Sequence, residues 1–457
     1  MACLVCCLVL SIPLGAQERK ETVDPKSQVA PDEDIDLSKA EPSAGNAGAF
    51  EHIDLSRIDK SDASSKAMRS TLGHEGSFRT RGQHGVVNNR SWFRIEYSKF
   101  FLDSFFVQID SKLNAFWSND HRAKAEDQAT LFETNTQEAF LQYSGTGGYT
   151  SIKTGVQRLI WGESEAGAIT DEVSPRNFSE LFFAPLEESR IGQFMLNLDH
   201  FSSSGDWSFF FVPNPKFNKY PKSGTAYYVD PFNGLADIRD EPSDKKQYEY
   251  GMRWKKTFGK SDISFMAASL VDNDYVFHMD GVTDAGRLLI SRLKQRFTLT
   301  GVTFNYAKGK YLLKGEVGLK SPKGFNDAAF QIIEKDVIDS SLGLTSSLGQ
   351  SNTIGLEVVN SYVRNWNNTI VGVPRDTSSL VLNTTLFFFN NTLSVNWLTI
   401  YNRPFTSYQS SVRTSYKWND NTTFSVDAHV IDVPDKNSSL RPYRDQDQIV
   451  FRVQYQF

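Results

Sequence analysis

From about residue 73 onward, apolar and polar side chains alternate with a period of two. Ile449, Phe451, Val453, Tyr455 and Phe457 alternate with Gln448, Arg452, Gln454 and Gln456. Phe424, Val426, Ala428 and Val430 alternate with Ser425, Asp427 and His429, and Phe93, Ile95 and Tyr97 with Arg94, Glu96 and Ser98. Such a dyad puts one face of a strand in an apolar medium and the other in a polar one. A soluble antiparallel sandwich alternates too. Here the runs are about ten residues long, time after time, which is the length a tilted strand needs to cross a bilayer.

The connections also alternate. Short turn signals fall at 102–103, 145–148, 203–205, 259–260, 308–309, 348–351, 390–391 and 419–420. Longer polar stretches lie between them, at 118–135, 160–191, 214–246, 272–294, 321–336, 363–377 and 432–445. Short periplasmic turns opposite longer outer loops are the asymmetry of a transmembrane barrel. Eight hairpins supply sixteen strands; a first strand over 74–83 and a last one ending at Phe457 bring the total to eighteen. The count falls to sixteen if the weakly patterned 337–347 hairpin is lost. The expected fold class is all-β: a transmembrane antiparallel β-barrel of about eighteen strands, 73–457, wide enough for an aqueous lumen.

The residues before the barrel read differently. Residues 1–16 form an expected signal peptide, with an apolar run over 4–10 and small residues at Gly15 and Ala16. The positive n-region is missing, which leaves the true start open. All three cysteines, Cys3, Cys6 and Cys7, fall in this segment, so cleavage would leave a chain without thiol or disulfide chemistry. Residues 17–72 are expected to be a flexible, acidic periplasmic segment, since a composition rich in Pro, Ser, Asp, Glu and Lys cannot bury enough apolar surface to order itself. Spaced apolar residues in 50–68 (Phe50, Ile53, Leu55, Ile58) allow a short helix there, either a docking arm for a periplasmic protein or a plain linker.

Composition narrows the function classes. Hydrophobic residues make up 39% of the chain and mean hydropathy is −0.40, too polar for a bundle of membrane helices. The 13% aromatic content suits a barrel wall ringed by aromatic girdles. The net charge of −5 comes from the N-terminal segment, where 17–62 carries twelve acids and six bases. No basic surface follows, so nucleic acid is not an expected partner. The expected surroundings are outer-membrane lipid, in the cell outer membrane of a Gram-negative bacterium. The terminal run of Phe451, Val453, Tyr455 and Phe457 resembles the signal that the outer-membrane barrel-assembly machinery reads.

One region is more specific than generic alternation. Gln137-Glu138-Ala139-Phe140-Leu141-Gln142 and a glycine turn are followed by Gly155-Val156-Gln157-Arg158-Leu159-Ile160-Trp161-Gly162-Glu163-Ser164-Glu165, and then by Asp171 and Ser174-Pro175-Arg176-Asn177. This resembles a broad family of proteobacterial outer-membrane proteins, porin-like and classed as a domain of unknown function, that carries a VGxQxxxWGxxE…D…NP block. Ser174-Pro175 stands where the family has Asn-Pro. The similarity spans roughly 90–260 and implies fold and location rather than a substrate.

The block feeds a long insertion, 160–191, rich in acids (Glu163, Glu165, Asp171, Glu172, Glu180, Glu187, Glu188) with two arginines, Arg176 and Arg190, among the anchors Trp161, Phe178, Phe182 and Phe183. It is expected to fold into the barrel and narrow the pore, with Arg176 and Arg190 paired to some of the acids; the alternative is an outward, solvated loop held by Pro175 and Pro185. The alternation places Arg94, Lys112, Lys153, Arg253, Lys255, Lys314, Arg413, Lys417 and Arg452 inward, facing Glu96, Asp110, Glu138, Glu249, Glu316, Glu357 and Asp427, with Gln157 on the face of Lys153. Nine bases against seven acids predict no strong ion preference. The seven histidines are scattered and no HExxH, P-loop, nucleophile elbow or dinucleotide fingerprint occurs. No catalytic residue, cofactor or metal is expected. Three functions stay in play: a channel for a small-molecule solute, an outer-membrane component of an export or lipid-handling system docked to a periplasmic partner through 17–72, and an intramembrane hydrolase.

Overall fold

The computed structural model describes residues 68–457 apart from 83, 103, 146, 165–166, 182, 184–188 and 241–246. The expected signal peptide and the 17–67 part of the tail lie outside the described residues, as do Glu165, Phe182, Pro185, Glu187 and Glu188.

The alternating runs become strands. In chain order these are β1 (Met68–Arg79), β2 (Gly85–Phe101), β3 (Phe105–Trp117), β4 (Thr130–Ser144), β5 (Thr150–Gln157), β6 (Gln193–His200) and β7 (Asp206–Val212). Next come β8 (Ala236–Asp240), β9 (Glu249–Phe258), β10 (Ser261–Val271), β11 (Val276–Val282), β12 (Leu288–Leu293), β13 (Arg296–Lys308) and β14 (Tyr311–Asn326). The last are β15 (Ile332–Leu348), β16 (Asn352–Val363), β17 (Asp376–Phe388), β18 (Leu393–Arg403), β19 (Ser407–Lys417), β20 (Thr422–Asp432) and β21 (Gln448–Gln456). All but β8, β11 and β12 make one antiparallel sheet of eighteen strands. Each pairs with the next in the chain, and β1 closes on β21 from Thr71 opposite Gln456 to Arg79 opposite Gln448. Closure removes the free edges that an open sheet would expose.

The strand count agrees with the parity argument. The hairpin with the weakest pattern is formed: β15 pairs with β14 from Ile332 to Ser346 and with β16 from Val337 to Leu348. The first strand begins six residues before the expected 74.

One rim carries both described chain ends and eight short connections, and the other carries nine connections of mixed length. Three of the nine are short. The loop expected at 321–336 shrinks to 327–331, because β14 and β15 continue as a hairpin beyond the wall. Residues 404–406 join β18 to β19, and 80–84 join β1 to β2. The loops 213–248 and 272–295 contribute β8, β11 and β12, a small second sheet in which β8 and β12 run parallel. Loop 118–129 holds a single helical turn, α1 (His121–Ala125), capped by the Asp120 carboxylate, which accepts from the Arg122 N–H at 3.0 Å.

Exposed aromatics form two belts on the outer face: Phe101, Tyr143, Phe258 and Phe388 at the turn rim, Phe78, Trp117, Phe132 and Tyr250 at the loop rim. Between them Leu72, Ile109, Leu196, Val302, Leu356 and Val426 point outward. This is the lipid-facing surface of a membrane barrel.

Candidate functional site: the lumen and its inserted loop

The segment 158–192 leaves the wall after β5 and returns at β6, and it turns inward. Its roots are held by residues of the glycine–glutamine–tryptophan block. At Gly155, φ is +131° and an added Cβ would stand 2.3 Å from the Ala139 carbonyl oxygen, so only glycine fits where β5 crosses β4. Gln157 donates to the Met195 carbonyl at 3.0 Å and Gln193 to the Val173 carbonyl at 2.7 Å. The Ser174 hydroxyl accepts from Leu159 N–H at 2.8 Å and donates to its carbonyl at 3.0 Å, closing the loop's neck.

Beyond the neck, Leu159, Trp161 and Val173 pack against Met195 (β6), Phe210 and Val212 (β7), Met266, Ala268 and Leu270 (β10), and Phe297 and Leu299 (β13). Trp161 meets Phe210 edge to face at 5.1 Å. All of these wall residues lie on the inward side, which a water-filled lumen would leave polar; the loop covers them. At its deepest point the loop passes over Gly301, where an added Cβ would come 2.7 Å from Thr170 Cγ2.

Polar contacts tie the loop to two sides of the lumen. On β14, Glu316 accepts from the Ser164 N–H at 3.0 Å, the Glu163 N–H at 3.4 Å and the Thr170 hydroxyl at 2.5 Å. Lys320 reaches the Ala168 carbonyl at 2.7 Å and bridges Glu172 and Asp339. On the far side Glu180 is paired with Arg90 of β2, which also holds Asp120 at 3.0 Å. Phe183 stacks on Tyr227 at 5.2 Å and meets His429 of β20 edge to face at 5.3 Å. Within the loop, Asp171 takes Arg190 at 2.8 Å and Arg176 at 3.2 Å.

The loop's far anchorage sets two titrations. Burial drives His121 down to about 4, and its Nδ1 accepts the Ala226 N–H at 3.2 Å, which fits the neutral ring. Burial pushes the Glu180 carboxyl up, but the Arg90 guanidinium outweighs it and holds the group below the ordinary carboxylate range.

The inward residues named from sequence are placed as follows. Arg94 grips Asp110 with two bonds of 2.8 and 2.7 Å, Lys153 lies 3.6 Å from Asp199, and Arg158 reaches Glu138 at 3.4 Å. Arg413 and Arg452 converge on Asp427, and Arg452 also pairs with Glu75. Arg253 faces inward on β9 beside Ser208 and Met266. Trp161 is buried in the loop's core, and Glu163 touches Glu316 through its backbone. At the C-terminus, Phe451, Val453, Tyr455 and Phe457 all point outward. Sequence reasoning missed Arg90, Lys320, Glu75 and Asp339. It also missed the inward apolar patch, whose signal is apolar residues on both faces of β7 and β10.

Among the described residues no group of His, Cys, Asp and Glu is arranged to hold a metal ion. The chain matches no protein-family model and no curated protein. Among solved structures it is similar to OccAB4 of Acinetobacter baumannii, at 11% identity and a TM-score of 0.50, covering 85% of this chain and 97% of that one. It is more distantly similar to Salmonella typhi OmpF in complex with daunomycin (11% identity, TM-score 0.42, 85% and 97% covered) and to a refined porin (10%, 0.40, 85% and 99%). The architecture is that of a porin-like β-barrel of eighteen strands with a loop folded across its interior.

Proposed function

We propose that this chain is a channel of a bacterial outer membrane, through which small solutes diffuse, and that the 158–192 loop sets its bore. The observation that carries the reading is the loop's double anchorage, on Glu316 and Lys320 at one side and on Arg90 and His429 at the other. A segment held at both walls narrows the lumen permanently, while the lumen elsewhere keeps half-exposed polar side chains.

A non-catalytic role is supported by the fate of the nearest acid–base pair. Asp427 and His429 share the inward face, but Asp427 lies between two arginines and His429 is buried beneath Phe183. The block around Gly155, Gln157 and Trp161 supports kinship with the uncharacterised outer-membrane family, since each of these residues shapes the root of the loop. The outward terminal aromatics suit recognition by the barrel-assembly machinery.

The test is single-channel recording in planar bilayers. The intact protein is expected to conduct, and removal of 165–187 to raise the unit conductance. Equal conductance with and without the segment would sink the constriction, and an intact protein that carries no current would sink the channel.

A further inference from the structure

The inserted loop does not treat the wall evenly. It covers β6, β7, β10 and β13, where Met195, Leu270 and Leu299 are 0% exposed. It then reaches β2 and β20 through Glu180 and Phe183. Around β17, β18 and β19, by contrast, the inward side chains Ser379, Asn383, Asn396, Leu398, Ile400 and Gln409 all stay half-exposed. Leu398 and Ile400 are as apolar as the covered residues, yet the lumen still reaches them.

This panel has a second property. From 377 to 402 the chain has no Asp, Glu, Lys, Arg or His. The register brings Thr385 opposite Asn396, Asn383 opposite Leu398, Val381 opposite Ile400 and Ser379 opposite Asn402, so a short aliphatic stripe, with Val381 itself buried, lies between amide and hydroxyl groups. The polar groups are braced: Asn396 donates to Thr385 at 3.0 Å, Ser379 to Asn402 at 2.6 Å, and Asn402 to Ser407 at 3.0 Å. Amides and hydroxyls so held keep further lone pairs and N–H groups for a passing solute. Among the described residues of the loop, Asp171 pairs with Arg176 and Arg190, Glu180 with Arg90 and Glu172 with Lys320.

We infer that the passage runs between the inserted loop and the β17–β18 wall, and that it favours uncharged polyhydroxyl solutes of the sugar or polyol class. This rests on the channel reading above. Such a solute can exchange water for the amide and hydroxyl groups while its C–H faces lie on Leu398 and Ile400. An ion entering the same gap loses hydration and meets no counter-charge on β17 or β18, while the nearest charge on β19, Arg413 opposite Asn396, is already engaged by Asp427; that loss is costly in a confined, weakly polar space.

The experiment compares permeation in liposomes and ion preference in planar bilayers under a KCl gradient. The intact protein is expected to pass a neutral sugar faster than the sugar acid or amino sugar of the same size, with a reversal potential close to zero. Asn396→Asp and Gln409→Glu, both nearly isosteric, are each expected to shift the cation-to-anion permeability ratio by roughly twofold or more. Faster passage of a charged sugar, strong ion selectivity in the intact protein, or conducting variants with unmoved selectivity would each overturn the inference while leaving the channel standing. Absence of any current from the intact protein would instead remove the channel, and this inference with it.

Discussion

The Glu316 carboxylate, on β14, accepts a 3.0 Å hydrogen bond from the backbone N–H of Ser164 in the inserted loop. It also takes the Glu163 N–H and the Thr170 hydroxyl, so one acid gathers donors from both limbs of the loop's deepest turn. A loop otherwise free to swing in water is thereby fixed to a particular stretch of wall.

Replacing Glu316 by Leu should free that turn. A buried donor left without a partner costs about 1–3 kcal/mol, which favours displacement of the turn over its retention. The expected outcome is a larger, noisier single-channel current with the barrel's heat-modifiable gel mobility intact. A current indistinguishable from the parent would deny Glu316 this role.

Asp171 pairs with two arginines at once, and its own side chain is 3% exposed. Asp171→Asn leaves Arg176 and Arg190 facing each other without a carboxylate between them. Removing one partner of a buried ion pair typically costs about 3–5 kcal/mol. Limited proteolysis should then cut within 158–192 in the variant and spare the parent; equal resistance would speak against the pairing.

Acid should loosen the far anchorage. His121 titrates at about 4 in the folded chain and ordinarily at 6.5, so between those values the unfolded chain binds the extra proton. Its contribution is therefore present above 6.5 and lost as pH falls toward 4, on the order of 2–3 kcal/mol by linkage. Glu180, held below its ordinary 4.5, loses its contribution only at still lower pH. Unfolding midpoints in denaturant should decline from pH 7 to pH 4, and His121→Gln should flatten that slope. An unaltered slope in the variant would assign the acid sensitivity to other groups.

Gly301 tests the seat of the loop apart from its anchors. Gly301→Val adds atoms where Thr170 already sits, 2.7 Å from an ideal Cβ. The inward face of a strand readily carries valine, so the barrel should assemble while the loop is pushed off β13. Conductance is expected to rise while the barrel keeps its heat-modifiable gel mobility. A destabilised barrel with unchanged conductance would contradict the close approach seen here.

The barrel was legible because lipid and water impose opposite demands on alternate side chains, and Phe451, Val453 and Tyr455 obey them without exception. Parity then gave eighteen strands from eight turns. The loop's inward course was readable from Trp161 and the acids around it, but its seat was not. Met266, Ala268 and Leu270 point inward beside outward Phe265 and Ala267, which blurs the dyad instead of sharpening it. Apolar residues on both faces mean two apolar neighbours, and only the fold reveals that one of them is the loop. The missed ions Arg90 and Lys320 belong to pairs that join residues 90 and 148 positions apart, a separation that local pattern cannot convey. The 321–336 region looked like a loop because Ser321, Pro322, Lys323 and Gly324 are polar or turn-forming; above the bilayer a hairpin needs no greasy side.

The three-residue link at 404–406 has a consequence for traffic. Its neighbours along the rim are the twelve residues of 364–375 and the fifteen of 433–447, so the chain has least material to raise above β18 and β19. In the proposed channel, a molecule arriving from that side would meet the shortest connection of this rim, next to the strand end that carries Asn402, Ile400 and Leu398. Lengthening this link by a few residues would build a sill over the gap, and slowed uptake without any alteration inside the bore would be the sign that approach is sideways and not from straight above.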